Sequence, residues 1–324
     1  MLMARIPKYK TYCPIPFQEI ARVACGNWMI YLLSITSHLT LLGVCVSNFL
    51  LAASNIHTLI QSWFDYDVPL CLLLVILTVG LLPLTLFRSP KDFWQAVVLA
   101  IISNILAYVI TIVGVLIDNE NYVTPNSSLS IVRPLHSGDL MVDFELFILA
   151  FGAMIFAYGG HTVFPTIQQD MKEPLKWKWA ILMAYILQVA YYAPIALVGS
   201  FVYGDKTKDS IISNLDVKWA SSASKLLITI HILFNLVVTI IHISRQMEFQ
   251  LKVPREICLK RVALRSVLVL VILFVAESIP NFGVMVSLIG AIGILTCLAS
   301  IYSSVKTVID PPPGETTVIP CFID

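Results

Sequence analysis

The sequence predicts an all-α integral membrane protein with about eight transmembrane helices. Of its 324 residues, 58% are hydrophobic and only 13% are charged, whereas a soluble domain carries about 25% charged residues. The apolar residues also come in blocks of about 20 residues, which is the length a helix needs to cross a bilayer core. The net charge of +1 and the lack of a basic stripe argue against a nucleic-acid partner.

The predicted spans are separated by more polar connections. They comprise residues 28–54, 68–87, 94–117, 144–168, 177–203, 222–244, 262–279 and 282–305. We therefore divide the chain into a cytosolic N-terminal segment (1–27), a transmembrane domain (28–305) and a proline-rich cytosolic tail (306–324). No removable signal peptide is predicted, because basic residues and prolines interrupt the first 27 residues.

The distribution of lysine and arginine predicts the orientation. With both termini in the cytosol, the cytosolic segments hold 16 of the 21 basic residues, as the positive-inside rule requires. The sequon "NSS" at Asn126 then lies outside the cytosol and is a predicted glycosylation site. The seven cysteines show neither a disulfide framework nor metal-ligand spacing, so no metal or cofactor is expected. Whether the membrane is the plasma membrane or that of a vesicle or lysosome is left open, as is the oligomeric state.

The fourth block contains a run of helix-breaking residues, "FAYGGHTVFPTIQQDMKEP" at 156–174. Gly159 and Gly160 each weaken a helix by about 1 kcal/mol relative to alanine, and Pro165 removes a backbone donor. Inside a bilayer, the backbone groups freed by such a break are tolerated only toward protein or a watery cavity. Secondary transporters bind small charged substrates at interrupted helices. The alternative is that the glycines and the proline serve only close packing and a kink.

The residues at this break are the candidate binding residues: Tyr158, Gly159, Gly160, His161 and Thr162. The glycines would offer backbone groups to a substrate. An imidazole within a span is costly unless it is paired or wet, and its pKa range suits proton handling. A hydrogen bond from His161 to a neighbouring span is the alternative.

Four amides within the spans are expected to form interhelical hydrogen bonds rather than to bind a ligand. They are Asn48, Asn104, Gln188 and Asn235. No glycine-rich phosphate loop, nucleophile elbow or paired-carboxylate site appears along the chain. An enzyme is therefore not predicted.

The fourth block and its flanks closely resemble the amino acid/auxin permease family, which includes vesicular inhibitory amino acid transporters. The family signature F-x-Y/F-x-G-H-x-x-x-P-x-I/L-x-x-x-M-x-x-P is matched by Phe156, Tyr158, Gly160, His161, Pro165, Ile167, Met171 and Pro174. A second stretch, "ESIPNFGVMVSLIG", is similar to the family through Glu277, Pro280, Phe282, Gly283, Ser287 and Gly290. In the first span, Gly43, Cys45 and Asn55 also match.

The resemblance implies a LeuT-type fold of two inverted five-helix repeats followed by an eleventh span. The eight spans of this chain resemble the third to tenth spans of the family, and the break falls in the sixth. The same arrangement implies that Gly43 and Ser47, four residues apart in the first span, face the substrate cavity. Small residues at these positions would also permit close helix contact.

The function implied by the resemblance is secondary-active transport of a small amino acid, coupled to protons or to sodium. The residues do not decide between the two ions. Relative to the family, the chain looks truncated at both ends, because spans resembling the first two and the last are not present. We therefore expect that residues 1–324 alone do not transport at an appreciable rate. The alternative function is that of a non-transporting relative that acts as a membrane partner protein.

Overall fold

The structure is a computed structural model, and it describes residues 16–85, 94–122, 140–160, 164–204, 207–208, 210–254, 256 and 258–309. All regular elements within these ranges are helices. Two short 3₁₀ turns, Pro174–Lys176 and Ile211–Asn214, precede α7 and α8. The α-helices are α1 (Pro16–Cys25), α2 (Asn27–Phe64), α3 (Leu70–Thr85), α4 (Trp94–Tyr122), α5 (Leu140–Ala157), α6 (Phe164–Asp170), α7 (Trp177–Tyr203), α8 (Lys218–Gln250), α9 (Leu259–Ser278) and α10 (Phe282–Ile309).

Every predicted span has a helix at its position, and the fourth is divided into α5 and α6. Within the described part of the chain, five helices are long and apolar enough to cross a membrane, namely α2, α4, α7, α8 and α10. Helix α3 is apolar but has only 16 residues. The all-helical membrane architecture is thus confirmed, while the number of eight spans stays a prediction.

Helix α2 extends about ten residues beyond its predicted end at residue 54. Residues 55–64 are more polar, but polarity does not interrupt backbone hydrogen bonding. The helix ends instead at Asp65, which adopts a left-handed conformation (φ 52°). Its N–H donates to the carbonyl of Gln61 at 3.1 Å. Such a left-handed residue is a common helix terminator.

Helix α2 is the central element, since it packs against α1, α3, α8, α9 and α10. The main hydrophobic core lies where α2 meets α8, with α3, α9 and α10 closing its sides. In a membrane, close packing holds these helices together. A hydrophobic driving force between helices is absent there, because lipid tails are as apolar as the side chains. Core residues include Cys45, Val46, Phe49, Leu50, Leu74, Leu236, Ile240, Ile241, Ile272 and Met285.

Polar contacts join α4 to α8. The Thr111 hydroxyl donates to the Ser224 hydroxyl at 3.0 Å. The Nδ1 atom of His231 lies 3.0 Å from the carbonyl oxygen of Ala100, to which it donates. Gly114 allows the close approach, because a Cβ there would lie 3.0 Å from the Cβ atom of Ala220 in α8. Side-chain hydrogen bonds of this kind are a principal contact between membrane helices.

A buried ion cluster joins one end of α3, α8 and α9. The Nε atoms of Arg261 and Arg265 lie 3.0 Å and 2.7 Å from the same carboxylate oxygen, Oε1 of Glu248. Arg265 is 0% exposed and also donates to the backbone carbonyl of Thr85. Because Thr85 ends α3, this contact places a cation at the negative end of the helix dipole. The cluster therefore ties α3 to the hairpin of α8 and α9, which lies far along the chain from it.

A second buried carboxylate, Asp118 of α4, makes a junction near the start of α8, at the other end of that helix from the ion cluster. One oxygen of Asp118, Oδ2, accepts a hydrogen bond from the Tyr203 hydroxyl at 2.7 Å. The same oxygen accepts from the backbone N–H of Asp216 at 3.0 Å. Asp118 thus connects α4 to the end of α7 and to the segment that leads into α8.

Candidate functional site

The predicted interruption in the fourth span is present in the structure. Helix α5 ends at Ala157 and α6 begins at Phe164. Gly160 has φ +120°, a conformation that residues with a side chain rarely adopt. The nearest atom to a Cβ built there, Cε1 of Phe164, is 3.7 Å away. Glycine is therefore required at this position by the backbone conformation and not by lack of space.

Two candidate residues, His161 and Thr162, lie outside the described residues. Of the others, Tyr158 and Gly160 are half-buried and Gly159 is exposed. The N–H groups of Tyr158 and Gly159 donate to the carbonyls of Met154 and Phe156, at 3.0 Å and 3.1 Å. Gly159 thus continues the last turn of α5, and the chain departs from helical geometry at Gly160.

A side chain from α7 donates a hydrogen bond to the end of α5. The Nε2 atom of Gln188 donates to the carbonyl of Ala157 at 2.8 Å. A helix end inside a membrane leaves carbonyls that need a partner, and the amide supplies one. The expected interhelical roles of Gln188 and Asn104 are confirmed, since Asn104 accepts from the Tyr191 hydroxyl at 3.0 Å.

Aromatic rings of α7 brace the chain on both sides of the interruption. Before it, the Tyr158 ring lies 6.3 Å from that of Tyr185 and 5.8 Å from that of Tyr192. After it, Phe164 packs edge-on against Tyr185 at 6.1 Å and against Trp177 at 5.5 Å. Aromatic pairs at these distances contribute beyond their buried area. Helix α7 therefore positions both halves of the broken span.

Tyr185 and Tyr192 were not among the residues selected from the sequence. Their spacing contained a signal, because residues three, four and seven apart share a helix face. Tyr185, Gln188 and Tyr192 have this spacing in "YILQVAYY", and all three contact the end of α5. A polar and aromatic stripe on an otherwise apolar span marks a face that contacts protein rather than lipid.

The second part of the predicted site, Gly43 and Ser47, lies on a buried face of α2. A Cβ on Gly43 would come within 2.5 Å of Cγ1 of Ile289 in α10, and Ser47 is fully buried. On the next residue of α10, Gly290 contacts the backbone of Gly152 in α5. Helix α10 therefore lies against α2 at Gly43 and against α5, the helix that leads to the break. In the described structure, Gly43 makes a close helix contact.

Together, the helices and the interruption define a multi-pass α-helical membrane protein with one span broken by a left-handed glycine. A family model described as transmembrane amino acid transporter protein matches residues 1–302. The chain belongs to this family, whose members are transporters and not enzymes, and the predicted family resemblance is confirmed.

Curated relatives agree with this assignment. Amino acid transporter AVT1C of Arabidopsis thaliana is 24% identical over 294 residues, which cover 88% of this chain and 50% of that protein. AVT1B of the same plant is 23% identical over 285 residues, covering 85% and 50%. Lysine histidine transporter-like 1, also from Arabidopsis thaliana, is 28% identical over 156 residues, covering 42% and 32%. The chain spans about half the length of AVT1B and AVT1C. No solved structure matches it.

Proposed function

We propose that this chain serves secondary-active transport of a small amino acid, driven by a proton or sodium gradient. The observation that carries the proposal is the interruption between α5 and α6, where Gly160 has φ +120°. This interruption occurs in a member of a membrane-transporter family. Interrupted helices are the usual substrate sites of such transporters. The similarity to amino acid transporters supports the substrate class.

The chemistry around the break suits a zwitterion. The sequence has no Asp, Glu, Lys or Arg between Glu145 and Asp170, or between Lys178 and Asp205. The charges of a substrate would therefore be met by backbone dipoles, hydroxyl groups and His161. The carbonyl end of a helix favours an ammonium group, and freed N–H groups favour a carboxylate. An α-amino acid presents both groups on one carbon.

We further propose that the helices form the third to tenth spans of a LeuT-type arrangement. In this proposal α5 and α6 are the two halves of the sixth span, and α2 and α8 are the third and eighth. In this proposal the packed pair of α2 and α8 would belong to one bundle of helices, and alternating access would move one bundle against the other around the site. Gly43 and Ser47 would then come to face the substrate in a state in which α10 has moved from α2.

Replacing Gly160 with alanine is expected to abolish amino acid binding. A side chain at φ +120° strains the backbone by about 1–3 kcal/mol, and relief of the strain would reshape the break. Binding is measured as the rise in unfolding temperature of the purified protein with added amino acids, since a ligand that binds only the folded state stabilises it. Gly80→Ala is the matched control, because a Cβ there meets no atom within 4 Å.

Because residues 1–324 alone are not expected to transport, the same variants are also made in a chain extended with the family's first two spans. Uptake of this extended chain into proteoliposomes, measured beside binding, separates the proposed function from its alternative. Saturable uptake that Gly160→Ala removes and Gly80→Ala retains supports a transporter. Binding without uptake favours the non-transporting membrane partner. If no amino acid stabilises the protein, the substrate site is not at this break.

We also propose that both termini face the cytosol, in the plasma membrane or a vesicle or lysosome membrane. Epitope tags on either end are expected to resist protease in intact cells and to be digested after permeabilisation. Asn126 is expected to be glycosylated, so deglycosylation should increase the gel mobility of the parent chain but not of an Asn126→Gln variant. Digestion of either tag in intact cells would contradict the orientation.

A further inference from the structure

The end of the hairpin between α8 and α9 combines exposed leucines with exposed lysines. Leu251 is 60% exposed and Leu259 is 84% exposed. Lys252 and Lys260, which directly follow them, are also exposed, and Phe249 is 40% exposed. We call these five residues the basic tip. An exposed leucine followed by a lysine thus occurs both directly after α8 and at the start of α9.

The basic tip is held by the chain around it. The Nε atom of Arg261 lies 3.0 Å from Oε1 of Glu248, which brings the end of α8 beside the start of α9. Lys252 adopts a left-handed conformation (φ 52°), and the N–H of Val253 donates to the carbonyl of Glu248 at 2.8 Å. These bonds close the end of α8 and fix where Lys252 leaves the helix.

The charge of this region is strongly positive. Residues 245–265 contain six basic and two acidic residues. Glu248 is buried together with Arg261 and Arg265, so the buried cluster takes up one of the acids and two of the basic residues. Four basic residues and Glu256 then remain in this segment outside the cluster. The surface around the tip therefore favours an anionic partner, even with Glu256 present.

We propose that the basic tip binds the headgroups of anionic phospholipids in the leaflet on which the hairpin ends. Lysine stems lie along apolar surface while their amines reach outward, so the leucines can enter the acyl boundary while the amines contact phosphates. Basic clusters next to membrane helices bind anionic lipids in this way. The exposed leucines favour a lipid over an acidic protein, because the medium beside the ends of two membrane helices is the bilayer.

The test uses the purified full chain in nanodiscs of phosphatidylcholine, with or without phosphatidylserine. Phosphatidylserine is expected to raise the unfolding temperature of the parent chain. Lys252→Gln with Lys260→Gln should remove most of this shift and weaken phosphatidylserine binding about 30-fold, the effect of two lysines at a membrane surface. The matched control is Lys172→Gln with Lys208→Gln, which should keep the shift, because these two lysines are exposed but neither follows an exposed leucine.

Lipid retention measured by native mass spectrometry gives a second readout, in which the tip variant loses bound phosphatidylserine and the control does not. An equal thermal shift and equal retention in both double variants would overturn the proposal. It would also be overturned if phosphatidylserine stabilised none of the proteins, the result expected if the tip binds an acidic protein segment instead. No transport is measured, so the outcome is independent of the proposed function.

Discussion

Replacing Glu248 with glutamine is expected to destabilise the protein by about 3–5 kcal/mol, the cost of breaking a buried ion pair by removing one partner. The substitution keeps the shape of the side chain and removes its charge. The guanidinium groups of Arg261 and Arg265, which lie 3.0 Å and 2.7 Å from the carboxylate, then lose the anion that both contact. The measurement is thermal unfolding of the purified protein in detergent, with folded yield as a second readout.

An exposed ion pair in the same chain provides the control. Glu173 lies 2.8 Å from Lys176, and both side chains are more than half exposed. Surface pairs contribute only about 0–1 kcal/mol, so Glu173→Gln should leave the unfolding temperature nearly unchanged. If both glutamine variants unfold at the same temperature, the buried cluster does not stabilise the junction of α3, α8 and α9.

Replacing Gly290 with alanine is expected to disrupt the packing of α5 on α10. A Cβ at this position would overlap backbone atoms of Gly152, including its carbonyl oxygen. Backbone cannot move aside as a side chain can, so the two helices would have to separate. Overpacking typically costs about 1–3 kcal/mol and occasionally more, and the upper end is expected here. The measurement is unfolding temperature together with the folded fraction by size-exclusion chromatography.

The control for this prediction is a glycine at which alanine is expected to have the opposite effect on stability. Alanine is favoured over glycine in a helix by about 1 kcal/mol, and at Gly80 in α3 a Cβ meets no atom within 4 Å. Gly80→Ala should therefore be neutral or slightly stabilising, whereas Gly290→Ala should be destabilising. Equal stability of the two variants would mean that α5 and α10 do not rely on this glycine contact.

Much of the helical framework was predictable because its signals are local. Span length and hydropathy report the bilayer thickness directly, which is why Trp177–Tyr203 was predicted with the observed bounds. The interruption was predictable for the same reason, since glycine and proline act on their own turn of helix. The end of α2 was predicted ten residues too early, because hydropathy shows where an apolar stretch ends and not where a helix ends.

The pairing of helices was not predictable from the same signals. In the sequence, Arg261 and Arg265 were informative only as two of the basic residues that predict which ends of the spans face the cytosol. Their partner Glu248 and the Thr85 carbonyl lie 13 to 180 residues away in sequence, and no periodicity relates them. Gly290 and Gly152 are also far apart in the sequence, and their contact depends on which helix packs against α5 in the folded protein.

By itself, the sequence determined that this protein is helical, lies in a membrane, belongs to an amino acid transporter family and has one span broken at Gly160. These properties follow from composition, spacing and short motifs, which act within a few turns of chain. The tertiary structure decided that Gln188 and two tyrosines of α7 support the break, and that α10 lies against Gly43. Those choices depend on how whole helices pack, and close packing is a property of surfaces that meet only when the chain has folded.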